Sequence, residues 1–113
     1  PRIFGDGSQT RDFTFVEDIV SGMMLAAERR EELDGKYYNL GTGKETTFNE
    51  IMEELQDILG KDIEAEFVEN PIDNYVQRTR AETTRAEEEL GFSPEYSLRE
   101  GLEKTVEYYR DHV

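Results

Sequence analysis

The chain has 113 residues, 27 of them acidic against 13 basic, and no cysteine. A net charge of −14 argues against a nucleic-acid backbone or an anionic membrane as partner, because phosphates recruit Lys and Arg; a local pocket for one small anion is still allowed. Without cysteine there is no disulfide framework, thiol nucleophile or thiolate metal site.

Leu, Ile, Val and Phe make 26 of the 113 residues, just above the level where disorder becomes the default. Any core is therefore thin. The longest apolar run, Met23–Ala27, is far short of the ~20 residues that span a bilayer. No signal-peptide pattern is present, and the expectation is a soluble cytoplasmic protein of single-domain size. Because the first residue is Pro1 rather than Met, a piece of a longer chain is expected.

Arg2-Ile3-Phe4 reads as a short strand, stopped by the turn Gly5-Asp6-Gly7-Ser8. Phe13–Val16 is rich in strand formers and reads as a second. Val16, Ile19, Val20, Met23, Met24 and Ala27 then recur at helical spacing, predicting an amphipathic helix that ends near Arg30. Lys36–Leu40 reads as a third strand, closed by Gly41-Thr42-Gly43. Thr47-Phe48-Asn49-Glu50 is a capping box, and the helix behind it ends at Gly60.

Ile63–Val68 alternates Ile63, Ala65 and Phe67 against Glu64 and Glu66, as a half-buried strand does. Residues 69–82 read as irregular. Thr84-Arg85-Ala86-Glu87 is a second capping box, opening a short helix that stops at Leu90-Gly91. Ser97-Leu98-Arg99-Glu100 is a third, and its helix is expected to bury Leu98, Leu102, Val106 and Tyr109. The order β, β, α, β, α, β, α, α predicts an α/β fold with short, partly parallel strands and four helices.

Self-contained chemistry is hard to find. Gly41-Thr42-Gly43-Lys44 is not a phosphate loop: the position five before Gly43 is Tyr38, and Glu45 stands where Ser or Thr is needed. Gly5-Asp6-Gly7 lacks the third glycine of a dinucleotide fingerprint and precedes a strand. His112, the single histidine, lies one residue from the end and reads as a solvated side chain. The carboxylates fall mostly on polar helix faces, so no catalytic or metal-binding constellation is complete.

Arginines that break the acidic background are more informative. Arg11 follows a glycine-rich turn, and Arg78 and Arg80 lie in an irregular stretch near Asn74, Tyr75 and Gln77. Arg is well shaped to hold a diphosphate by paired hydrogen bonds. Pairing with some of the 27 acids explains these arginines equally well on composition alone.

Phe4-Gly5-Asp6-Gly7-Ser8-Gln9-Thr10-Arg11-Asp12-Phe13-Thr14-Phe15-Val16-Glu17-Asp18-Ile19 resembles the start of the C-terminal region of extended short-chain dehydrogenases/reductases. Tyr37–Gly43 resembles the next landmark of these NAD-dependent nucleotide-sugar epimerases and dehydratases. Thr79–Pro94 resembles the third, and Ser97–Tyr109 the closing helix. The four motifs cover nearly the whole chain in the family's order.

The resemblance implies a nucleotide-sugar-binding portion, residues 1–113, of a homodimeric parent enzyme. Its NAD would be held by an N-terminal Rossmann half that carries the dinucleotide fingerprint and a Tyr-x-x-x-Lys pair. Neither motif occurs in these 113 residues, so the fragment alone is expected to be inactive. By resemblance, Arg11 clamps the diphosphate, Asn39 lies near the nucleotide, and the loop from Asn70 to Arg80 closes over phosphates and ribose. Many relatives carry an arginine where Asn74 stands, before the aromatic Tyr75, so either Arg78 or Arg80 replaces that charge or the nucleotide is held less strongly at this point. The Asn74-Tyr75 pattern is similar to ADP-glyceromanno-heptose 6-epimerases, with UDP-glucose 4-epimerases close behind. The helices at Val16–Arg30 and Phe48–Leu59 would pack near the Rossmann half. The competing reading is a non-enzymatic acidic α/β module that docks a basic partner.

Overall fold

The computed structural model describes all 113 residues, with four helices and four short strands in a mixed α/β arrangement. Strand β1 (Arg2–Phe4) pairs in parallel with β4 (Glu66–Val68). Strand β2 (Thr10–Arg11) pairs antiparallel with β3 (Thr46–Thr47). On the other edge of β2, Thr10 donates to the Gln77 carbonyl and accepts from Thr79 N–H, so residues 77–79 form a third, strand-like row.

Four helices complete the fold: α1 (Val16–Glu28), α2 (Phe48–Leu59), α3 (Thr84–Leu90) and α4 (Leu98–His112). The cap at Thr47 forms as its motif requires: its hydroxyl takes the Glu50 N–H, and Glu50 takes the Thr47 N–H. Such a reciprocal pair satisfies two donors that the first helical turn leaves orphaned. The Ser97 hydroxyl likewise accepts from Glu100 N–H. At α3 the expected box does not form. Thr84 is already inside the helix, and the Glu82 carboxylate satisfies its N–H instead.

The strands differ from the sequence reading in a consistent way. Phe13–Phe15 joins no ladder and Val16 already opens α1; the segment lies against Tyr96 and the first turn of α4 rather than against a strand. Phe15 packs edge-on to Tyr96, their ring centres 4.8 Å apart, and a Cβ on Gly101 would meet Phe15 at 3.1 Å. Lys36–Leu40 also joins no ladder; Asn39 donates to the Glu82 carbonyl and Arg85 to that of Tyr37. The strand expected over Ile63–Val68 shortens to its last three residues, and Phe67 is exposed.

Ala86, Leu90 and Phe92 form the core, with Leu25, Ala26, Tyr38 and Leu40 packed on it. Gly22 lets α1 approach closely, since a Cβ there would sit 2.6 Å from Leu40. Helix α1 therefore turns Asp18, Gly22, Leu25 and Ala26 inward, while Val16, Val20, Met23 and Met24 stay exposed. In α4, Val106 is buried and Leu98 and Leu102 are half-buried. Tyr109, expected inside, is exposed, its ring set edge-on against that of Tyr108.

The molecule is spread out for its size. Its radius of gyration is 16.7 Å, against about 13 Å for a compact chain of this length. Its accessible surface is 8176 Å², against about 6,400 Å² for a compact folded monomer of 13.1 kDa. No helix is long and apolar enough to cross a membrane.

Candidate functional site

The row formed by β3, β2 and residues 77–79 holds Arg11 and Arg78, and the Tyr75 ring lies against it. Arg11 lies on its central strand, in register with Thr46. Its guanidinium carbon is 5.2 Å from the centre of the Tyr75 ring and 5.9 Å from that of Phe48. One of its nitrogens donates to the Thr10 carbonyl at 2.6 Å.

Two arginines in the chain are half-buried, and their surroundings differ sharply. Arg99 is held by three carboxylates, Glu54, Asp57 and Glu103, at 2.6–3.0 Å. Arg11 has no carboxylate within ion-pair distance, although acids outnumber bases by two to one. Rings and one carbonyl leave most of its five N–H donors available. A half-buried guanidinium with open donors is suited to bind an anion through paired, charge-assisted hydrogen bonds.

Arg78 is in a different state. Its Nε and Nη2 donate to the two oxygens of Glu45 at 3.2 and 2.6 Å. These bonds hold the Glu45 carboxyl below its ordinary range, helped by the nearby charges of Arg78 and Arg80. Arg80 is exposed and forms no ion pair itself. Of the two candidates for the charge absent at Asn74, Arg80 thus offers its guanidinium freely and Arg78 is already neutralised. Asn74 is exposed with φ of 55°, a left-handed conformation that Asn adopts more readily than Arg. Asn39 makes no hydrogen bond to Arg11: its side chain donates to the Glu82 carbonyl at 3.2 Å.

The residue that assembles this region was not singled out from sequence. Asp12, next to Arg11, accepts from the Thr42 hydroxyl and N–H at 2.5 and 3.0 Å on one oxygen. Its other oxygen accepts from Gly43 and Ala81 N–H at 2.8 and 3.2 Å. Burial pushes this carboxyl up, but the four hydrogen bonds outweigh burial and hold it below its ordinary value. Gly41 makes the approach possible, since a Cβ there would lie 2.6 Å from Ala81 and 2.9 Å from Asp12. The Gly41-Thr42-Gly43 turn therefore binds a carboxylate of its own chain. Its only sequence signal was Asp12 directly after Arg11, one acid among 27.

A family model described as GDP-mannose 4,6 dehydratase matches residues 1–105. The chain is 40% identical over 110 residues to the UDP-glucose 4-epimerase of Mycolicibacterium smegmatis, covering 97% of this chain and 34% of that protein. It is 36% identical over 112 residues to a putative UDP-glucose 4-epimerase of Methanocaldococcus jannaschii, covering 99% and 35%.

Among solved structures, it is similar to the UDP-glucose 4-epimerase of Thermotoga maritima with UDP-glucose. There the TM-score is 0.84 and the identity 37%, over 98% of this chain and 35% of that one. It is also similar to the UDP-glucuronic acid 4-epimerase of Bacillus cereus in complex with UDP-glucuronic acid and NAD. There the TM-score is 0.91 and the identity 32%, over 99% and 35%. The chain spans about a third of the length of the relatives it matches.

Proposed function

The chain belongs to the GDP-mannose 4,6 dehydratase family of extended short-chain dehydrogenases/reductases, and on that premise we propose that it is the nucleotide-sugar-binding portion of an NAD-dependent epimerase. The ligand in this reading is a UDP-sugar, the class carried by the similar epimerases. Residues 1–113 are its C-terminal portion, the parent enzyme is a cytoplasmic homodimer, and NAD is held by a Rossmann half outside these residues.

One observation carries the reading: Arg11 is half-buried, faces two aromatic rings and has no carboxylate partner. Arg11 contacts the diphosphate in this assignment, with Arg80 as a second cation. Arg78 joins when the phosphate oxygens displace Glu45. Tyr75 and Asn74 flank the nucleotide, and Asn39 borders the same region through Glu82.

The residues present do not fit NAD. The Gly5–Ser8 turn runs into β2, where a dinucleotide turn would open a helix, and no tyrosine is followed four residues later by lysine. The hydride chemistry of the parent therefore falls outside this segment. Here the chemistry is recognition: holding a diphosphate in place.

Calorimetric titration of UDP into the full-length protein tests this. Arg11→Ala should lose about 1.5–3 kcal/mol, the worth of a hydrogen bond to a charged group. Arg99→Ala is the control, because Arg99 is consumed by its three acids. Equal UDP affinity for wild type and Arg11→Ala would overturn the assignment.

A further inference from the structure

Phe48 was read from sequence as part of the capping box Thr47-Phe48-Asn49-Glu50, yet its ring also lies against the Arg11 guanidinium. We propose that Phe48 is a positioning residue for Arg11, acting with Tyr75 to keep that guanidinium ordered and unpaired in the absence of ligand. This rests on the reading of Arg11 as the diphosphate contact.

Three observations support it. First, the ring is itself fixed. Phe48 is the first residue of α2, directly after the reciprocal Thr47–Glu50 cap, and its N–H donates to the Gln9 carbonyl at 3.2 Å. Phe13 packs on it with ring centres 5.9 Å apart. Secondly, the ring is held near the cation by the ladder, since Thr46 and Thr47 are in register with Arg11 and Thr10. Thirdly, the other half-buried arginine in this chain, Arg99, is captured by three carboxylates, whereas Arg11 is not.

The physical argument follows from what a ring offers a cation. An aromatic face attracts a guanidinium through its quadrupole but consumes none of its N–H donors. A carboxylate would hold Arg11 more strongly and would also occupy the donors that an incoming anion needs. The rings restrict a flexible side chain before the ligand arrives, which reduces the ordering cost of binding. Phe48 contributes from a helix terminus and Tyr75 from an irregular loop, so the two contacts can be removed independently.

The test is UDP titration of the full-length protein carrying Phe48→Leu, Phe48→Tyr or Tyr75→Leu, each also combined with Arg11→Ala. Phe48→Leu should weaken UDP binding about threefold to tenfold, as loss of one cation–ring contact implies. Phe48→Tyr, which keeps the ring, should bind as wild type. In the Arg11→Ala background Phe48→Leu should change nothing further.

Wild-type affinity in Phe48→Leu overturns the proposal, as does an equal loss with Arg11 present or absent. If Phe48→Leu fails to fold, Tyr75→Leu gives the same comparison from a loop outside α2: the same loss, confined to the Arg11 background, supports the positioning role, and no loss overturns it. Undiminished UDP affinity in Arg11→Ala alone is a separate result, which removes the diphosphate reading itself and this proposal with it.

Discussion

The carboxylate of Asp12 takes the backbone N–H of Ala81, 69 positions further along the chain, at 3.2 Å. Through Thr42 and Gly43 the same side chain also fixes the turn that follows residues 36–40. Three segments remote in sequence thus meet on one carboxylate beside Arg11. Asp12→Ala would leave the amides of Thr42, Gly43 and Ala81 without it. Discounted for partial solvent exposure, the loss should be about 2–3 kcal/mol of unfolding free energy in the full-length protein, read by denaturant titration.

The same contact sets a pH dependence. Asp12 has a folded-state pKa below its ordinary value, so its contribution is complete above the unfolded-state value near 3.9 and is lost as pH falls through the folded value. Wild type should therefore lose stability relative to Asp12→Asn on acidification below about pH 4. A difference between the two that stays constant from pH 6 to pH 3 would contradict this.

The helices were legible in the sequence, and the strands much less so. Capping at Thr47 and Ser97 and stops at Gly60 and Gly91 are local events, decided within one turn of the chain. A strand is decided by its partner. Phe13–Val16 and Lys36–Leu40 have strand-like composition, but residues 13–15 and 36–40 pair with no other strand and Val16 opens α1. The polar pairs Thr10–Arg11 and Thr46–Thr47 do form a ladder, which no periodicity over two residues could announce. Arg11, Tyr75 and Arg78 drew notice by their chemistry, whereas Asp12, Glu45 and Phe48 did not, because what marks each of them is a contact made to another segment of the chain.

Glu45 offers a test of the arginine row. Its bidentate hold on Arg78 supplies a negative charge where the proposed ligand would bring its own. Glu45→Gln removes that charge and releases the guanidinium, so UDP should bind about twofold to fivefold more tightly at low salt. The gain should shrink as ionic strength rises, because the groups are exposed and screened. Weaker binding in Glu45→Gln, measured by the same titration, would mean that Glu45 presents Arg78 rather than competing for it.

The outward face of α1 yields the last expectation. Val16, Val20, Met23 and Met24 are 63%, 48%, 62% and 59% exposed, although their spacing is that of a core-facing helix. The buried side of α1 instead carries Gly22 for close approach and Asp18, whose carboxylate accepts from Glu95 and Tyr96 N–H. Both faces are therefore built to pack, and only one is packed within these residues. The accessible surface, about 1,800 Å² larger than that of a compact monomer of this mass, is the size of a substantial interface. Expressed alone, residues 1–113 should self-associate at micromolar concentrations in sedimentation velocity, and Val20→Glu with Met23→Glu should make them monomeric. In the full-length protein the same pair should instead lower the melting temperature, because the proposed Rossmann half covers this face there. A wild-type 113-residue chain that stays monomeric and melts cooperatively would show that α1 needs no cover.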